Sequence, residues 1–214
     1  MRQNNYLLQN HRSVQPVTLQ GKVVRLEPLA REHIAPLWKA AEDAAPEIFR
    51  WMPSAMQTPS AFQETMEAIL LETARGASVA FATVECDSGK LVGSTRFMNM
   101  DFAHRRVEIG STWIIPAWQR TAVNSEAKWL MLQHAFETWE CSRVELKTDS
   151  LNQRSHAAIL RLGAKEEGTL RQHMICWNGR RRDTVYFSIL DTEWPSVKAH
   201  LHEKLRNRGK QVGP

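Results

Sequence analysis

Apolar and polar residues alternate from Lys22 to Glu27 around the β-branched pair Val23-Val24, which predicts a first strand. Arg31 to Ala41 then places Ile34, Leu37, Trp38 and Ala41 at helical spacing. After a loop containing Trp51, Met52 and Pro53, a second helix is expected from the Thr58-Pro59-Ser60 signal. Ser60 and Gln63 form its candidate capping box, and Gly76 ends it. Ser78 to Glu85 and Leu91 to Met98 read as a strand pair joined by Asp87-Ser88-Gly89-Lys90. A further strand, Val107 to Ile115, stops at Pro116, which has no N–H to donate to a sheet.

The second half repeats strand and helix. Ser125 to Glu140 carries Ala127, Leu130, Met131, Ala135 and Trp139 on one helical face, with Glu126 near the positive end of the dipole. Arg143 to Thr148 is a strand with Val144 and Leu146 on one face, and Ser155 to Leu162 is a short helix closed by Gly163. Strand, helix, strand implies a parallel crossover, with ligands near the strand ends. Leu170 to Trp177, Asn178-Gly179 and Arg181 to Ile189 predict a hairpin with a two-residue type I′ turn. Thr192 to Leu205 then aligns Trp194, Val197, Leu201 and Leu205 as an amphipathic helix.

Composition narrows the class. The 214 residues are 43% hydrophobic and 24% charged, as expected of a globular chain able to bury a core. No stretch reaches the roughly 18 uncharged apolar residues of a membrane span, and Met1 to Asn5 lack a secretory apolar block, so a cytoplasmic location is expected. Cys86, Cys141 and Cys176 are odd in number and far apart, with no CxxC and no histidine at zinc-ligand spacing. Neither a disulfide framework nor a metal is expected. The net charge is +5, but from Lys198 onward five basic residues face only Glu203, so the body is close to neutral. That tail lacks interleaved aromatics, which argues against nucleic acid as a partner.

Candidate chemistry lies where the strand ending at Ile115 meets the helix beginning near Ser125, because a helix N-terminus with free N–H groups suits an anion such as phosphate. No GxxxxGK[ST] and no GxGxxG occurs, which excludes a P-loop nucleotidase and a dinucleotide-binding Rossmann enzyme. The connecting loop reads Gln119-Arg120-Thr121-Ala122-Val123-Asn124-Ser125.

This loop and the order of elements resemble the GNAT superfamily of N-acetyltransferases, whose motif is [QR]xxGx[GA]. Gln119 holds the first position, whereas Ala122 and Asn124 replace the small residues. The stretch Val107 to Lys128, the Asn152-Gln153-Arg154-Ser155 run, Leu162 to Lys165 and the ending from Arg182-Asp183 to Glu193-Trp194-Pro195 are similar to the branch that acetylates ribosomal-protein N-termini. The resemblance implies an α/β fold: a mixed, mostly antiparallel sheet of about seven strands flanked by helices, with the fourth and fifth strands parallel and splayed to bind coenzyme A. It spans a domain over 17–205, between an N-terminal extension (1–16) and a basic tail (206–214).

The activity implied is transfer of acetyl from acetyl-coenzyme A to a primary amine, on a protein N-terminus or a small molecule, by direct attack in a ternary complex. The alternative is a non-catalytic acyl-coenzyme A binding or protein-interaction module, and a homodimer is expected by resemblance alone. Trp113, Ile114, Ile115, Gln119, Arg120, Thr121, Ala122, Val123, Asn124, Ser125, Asn152 and Ser155 would hold the cofactor. Ala122 is tolerable there if its φ is negative. Arg120 is either a phosphate contact or a solvated loop residue, and Asn152 either a cofactor contact or a turn residue.

Glu108, eleven residues before Gln119 in the fourth strand, stands where the resemblance to histone-acetylating members places a catalytic glutamate and is the candidate base, the alternative being a strand carboxylate paired with Arg105, Arg106 or another basic side chain. Many members carry a catalytic tyrosine seven residues after the motif asparagine; that position is Ile159 here. Ser155, three residues after Asn152, stands at the serine position that the resemblance to this branch implies, and is the candidate donor to the leaving thiolate, or else a helix N-cap. Trp51, Arg171 and His173 are the candidate acceptor contacts, whereas His134 and His156 read as packed or surface residues. Of the other tryptophans, Trp38 and Trp118 are candidates to line a substrate cleft.

Overall fold

Strands built from alternating or wholly apolar runs pair into one eight-stranded sheet, in a computed structural model that describes residues 15–209. The order is β1 (Leu19–Gln20), β2 (Val24–Pro28), β3 (Ser78–Glu85), β4 (Leu91–Asp101), β5 (Arg106–Ile114), β6 (Arg143–Asp149), β8 (Arg181–Leu190) and β7 (Lys165–Ile175). All neighbours are antiparallel except β5 and β6. The eighth strand is the two-residue β1, too short for an alternating pattern to reveal. Most of the expected extension (residues 1–14) and the last five tail residues (210–214) lie outside the described residues.

The helices are α1 (Ile34–Ala41), α2 (Ala45–Ile48), α3 (Pro59–Ala74), α4 (Val123–Gln133), α5 (Gln153–Leu160) and α6 (Trp194–Gly209). None among the described residues is long and apolar enough to cross a membrane. Helices α1 to α3 cover one sheet face, packing Leu37, Phe49, Phe62 and Met66 against Ala80, Ala82 and Trp113. On the opposite face, Leu130 and Met131 of α4 and Val197 and Leu201 of α6 join Val107, Ile109, Val144, Leu146 and Phe187. Each face thus carries one group of helices.

Several local expectations change. Helix α3 is capped by Thr58, whose extended backbone lets Oγ1 accept from Ala61 N at 3.3 Å, while Pro59 supplies the first turn. Ser60 and Gln63 lie inside the helix, and Gln63 turns to Glu67. Helix α4 begins two residues earlier than expected, and the residues after it, His134 to Thr138, form a π turn. Strand β7 starts at Lys165 rather than Leu170, because two bulges let it keep pairing with β8. The β7–β8 turn is wider than a type I′ turn: Ile175 pairs with Arg181, Gly179 N donates to Cys176 O, and Gly179 takes φ +78°. Asn178 Oδ1 accepts from Arg180 N and Trp177 N donates to Pro53 O, so a three-residue loop ending in a left-handed glycine wins. Helix α6 runs on through Gly209, past the expected end at Leu205.

The feature that positions the site is a split in the sheet. Strands β5 and β6 pair only where Arg106, Val107 and Glu108 meet Arg143, Val144 and Glu145. Beyond that point β5 bulges against β4, with Ser111 at φ +49° and held by Arg96 Nε donating to Ser111 Oγ at 3.1 Å. The two strands therefore diverge, opening a groove toward the N-termini of α4 and α5.

Candidate active site

The groove is a cavity of about 520 Å³. At its outer end, Gln119 fixes the loop before α4 by donating from Nε2 to Ile114 O at 2.7 Å, and its Oε1 accepts from Arg154. Thr121 Oγ1 donates to Trp118 O at 2.7 Å and accepts from Val123 N at 3.3 Å. Ala122 adopts φ −73°, so its methyl is unstrained where the motif has glycine, and the left-handed position falls on Arg120 instead, at φ +64°. Arg120, Arg154 and Arg161 surround the mouth, and Asn124 Oδ1 is buried there without a hydrogen-bond partner. Cations, a helix N-terminus and an unsatisfied amide fit a phosphate-bearing ligand with an amide chain, as coenzyme A has.

Of the residues expected to hold the cofactor, Trp113, Ile114, Gln119, Arg120, Asn124, Asn152 and Ser155 line the cavity. Ile115, Thr121, Ala122, Val123 and Ser125 do not; Val123 is wholly buried in the core, and Ile115 packs against both clusters. Asn152 is the N-cap of α5, its Oδ1 accepting from Ser155 N at 3.0 Å. Ser155 therefore sits in the first helical turn rather than at the cap, and its residue faces the groove. Ile159, buried, also lines it, where a tyrosine would otherwise stand.

The inner end holds Glu108, 1% exposed. Its Oε2 accepts from Asn99 Nδ2 at 2.8 Å and from Lys147 Nζ at 2.9 Å, while Oε1 is buried with no hydrogen-bond partner. Of the basic partners open from the sequence, the one that meets Glu108 is Lys147 rather than Arg105 or Arg106. Arg106 instead meets Asp101 and Glu145, and Arg105 Nε donates to Glu140 O. Gly110 leaves room for the carboxylate: a Cβ there would lie 3.0 Å from Glu108 Oε1. A second cavity of about 710 Å³, lined by Asn99 to Ala103, Arg106, Glu145, Leu170 and Tyr186, also borders Glu108.

Trp51 lines the first cavity, with the guanidinium groups of Arg50 and Arg180 4.8 and 5.4 Å from its ring centroid. Arg171 and His173 stand exposed on β7 and line neither cavity; His173 packs its ring against Tyr186. Trp38 packs on Phe62 and Trp118 against the core, so neither borders the groove.

Besides Lys147 and Asp149, sequence reasoning missed two buried basic residues here. Lys128, 4% exposed, donates from Nζ to Thr95 Oγ1 at 3.0 Å and Thr112 Oγ1 at 2.5 Å, and burial lowers its pKa to about 7. Arg182 is 5% exposed, and burial lowers its pKa too, opposed by the charges of Asp149 and Glu108 among others. Their one signal is spacing: Lys128 lies one turn beyond Asn124, and Arg182 shares a strand face with Thr184 and Tyr186.

Residues 24–165 match the family described as the acetyltransferase (GNAT) domain. Over 110 residues the chain is 34% identical to the Bacillus subtilis protein named "Putative ribosomal N-acetyltransferase YdaF", covering 51% of this chain and 59% of that one. The chain thus spans less than two thirds of the length of the curated relatives it matches. Among solved structures, a GCN5-related N-acetyltransferase from Brucella melitensis is 32% identical with a TM-score of 0.81, over 89% of this chain and 86% of that chain. The fold is also shared with Mycobacterium smegmatis RimJ, solved in complex with CoA-disulfide, at 21% identity and a TM-score of 0.74, over 90% and 93% of the two chains. A split sheet over a helix N-terminus, a match across most of the chain and solved relatives of the same fold lead to one conclusion: the chain belongs to the GNAT acetyltransferase family.

Proposed function

We propose that the chain transfers an acetyl group from acetyl-coenzyme A to a primary amine, by direct attack within a ternary complex. The observation that carries this reading is Glu108: a buried carboxylate with one oxygen tied to Asn99 and Lys147 and the other free, at the meeting point of two cavities. A fixed carboxylate with a spare lone pair is what removal of a proton from an attacking ammonium requires. Lys147 holds the carboxylate in place through its 2.9 Å contact with Oε2.

The cofactor supplies an activated acetyl thioester when bound. Arg120, Arg154 and the first turn of α4 would take its phosphates, and Asn124 and the end of β5 its amide chain. Asn152 spends Oδ1 on its cap, which leaves its amide N–H₂ for the ligand. Ser155, at the positive end of α5, would give a hydroxyl hydrogen bond to sulfur as it departs. The word ribosomal in the name of the Bacillus subtilis relative supports a ribosomal component as acceptor; a protein N-terminus is the acceptor class this reading favours, with small amines as the other.

Glu108→Gln keeps the shape and removes the base. Release of free thiol with an amine acceptor should fall by about 10²- to 10⁴-fold, while calorimetry gives an unchanged affinity for acetyl-coenzyme A. An unchanged rate would remove Glu108 from the mechanism, and tight cofactor binding with no turnover in the parent protein would favour the binding-module alternative.

A further inference from the structure

Ser111 carries a side chain in the left-handed backbone region, at φ +49°. That conformation is disfavoured by about 5- to 30-fold in population for a residue with a Cβ, so the surrounding fold must hold it. Ser111 lies in the β5 bulge: Arg96 pairs with Gly110 and Ser94 with Trp113, so Ser111 and Thr112 together face the single residue Thr95. On the other edge of β5, pairing with β6 ends at Glu108, and Ile109 to Ile114 line the groove instead. The backbone of Gly110 to Thr112 therefore meets no strand on that edge, and the bulge sets where its N–H and C=O groups point.

The bulge is held from both faces of the sheet. On the α4 side, Thr112 Oγ1 and Thr95 Oγ1 are 2.8 Å apart, and Lys128 Nζ donates to both. On the α3 side, Arg96 Nε donates to Ser111 Oγ at 3.1 Å, while the end of the same guanidinium pairs with Glu72 of α3. The other contact of the Ser111 hydroxyl, Met98 Sδ, is 4.0 Å away. Arg96 is thus braced at one end by a helix and grips the left-handed residue with the other, without itself lining the groove.

We propose that Arg96 is a positioning residue: braced by Glu72, it holds Ser111 left-handed and so keeps the groove in the shape that receives coenzyme A. This inference rests on the cofactor reading above and adds to it a residue that touches neither cofactor nor acceptor. Without the clamp the left-handed conformer becomes the minor one, and a ligand that binds that conformer alone loses affinity in proportion to its population. Glycine adopts this φ without the penalty, so glycine at position 111 makes the clamp dispensable.

The test is calorimetric titration with coenzyme A of the parent protein, Arg96→Met, Arg96→Lys, Ser111→Gly and the double variant Arg96→Met with Ser111→Gly. Both single Arg96 variants should bind about 5- to 30-fold more weakly. Lysine fails with methionine because it keeps a charge for Glu72 but has no N–H at the ε position for Ser111. Ser111→Gly should bind like the parent, and adding it to Arg96→Met should bring affinity back near the parent value. The melting temperature should fall in Arg96→Met and stay low in the double variant, since both lack the Glu72 pair. Recovery of binding without recovery of stability is a result that a merely structural role would not give. Unchanged affinity in Arg96→Met, rescue by lysine, or a loss that Ser111→Gly does not recover would overturn the inference.

Release of free thiol with an amine acceptor separates this claim from acetyl transfer. In Arg96→Met, KM for acetyl-coenzyme A should rise while kcat at saturation holds, because bound cofactor selects the left-handed conformer. The affinity pattern without any transfer by the parent would sink acetyl transfer and keep the clamp. Transfer with affinity indifferent to Arg96 would sink the clamp alone, and no binding of coenzyme A by the parent would overturn both.

Discussion

Lys128→Met should stabilise the protein, and by an amount that depends on pH. The ammonium of Lys128 is buried against two threonine hydroxyls, and burial alone lowers its pKa from the ordinary 10.5 to about 7. Between these values the unfolded chain binds a proton that the folded chain does not, so the wild type loses stability as pH falls from 10.5 toward 7. Below 7 both states are protonated and the penalty is constant; above 10.5 it vanishes. At about 1.4 kcal/mol per pH unit, the full penalty is on the order of 5 kcal/mol. Methionine removes the charge at similar length, and Thr95 and Thr112 retain each other, their hydroxyls being 2.8 Å apart. Urea unfolding of both proteins should show an advantage for Lys128→Met of about 2 kcal/mol at pH 9 and about 4 at pH 7, levelling near 5 below pH 6. A gap that does not change with pH, or a variant less stable throughout, would refute the reasoning.

Three further outcomes follow from the contacts. Glu126 accepts from the backbone N–H groups of Lys22, Val23 and Val24 at 3.1, 2.6 and 2.7 Å, tying the β1–β2 turn to α4. Glu126→Ala should cost about 3 kcal/mol or more in urea unfolding, and a loss under 1 would show that water replaces it. Gly110→Ala should lower the transfer rate by displacing Glu108, whose Oε1 would lie 3.0 Å from the added Cβ, and should lower the melting temperature as well, because that carboxylate is buried and held by Asn99 and Lys147 and Met98 Sδ stands at 2.9 Å; an unchanged rate would count against the placement of Oε1. Ser155→Ala should reduce kcat without changing cofactor affinity, and a change in affinity alone would reassign the hydroxyl to binding.

The sheet's layout was legible because its signals are local. Pro116 ends β5, the 3.6-residue repeat marks α4, and a strand on each side of that helix implies the parallel β5–β6 pair. The turn before β8 was misread because Asn178-Gly179 favours a type I′ turn only until Trp177 N–H finds Pro53 O, a contact over a hundred residues away. Glu108 was recognisable by family resemblance, but its partner was not: Lys147 reaches it across the parallel pair, while the adjacent arginines turn elsewhere. Lys128 and Arg182 were invisible for a different reason. Each occupies a position that periodicity assigns to solvent, on the polar stripe of α4 and the polar face of β8. Only the divergence of β5 from β6 and the packing around their ends bury them.

The most direct measurement incubates the protein with acetyl-coenzyme A and an alanine-led peptide amide, then weighs and fragments the peptide by mass spectrometry. The account predicts a single acetyl group on the α-amine, formed in the parent protein and lost in Glu108→Gln. Cofactor that binds while the peptide remains unmodified, or acetylation indifferent to Glu108, would contradict it.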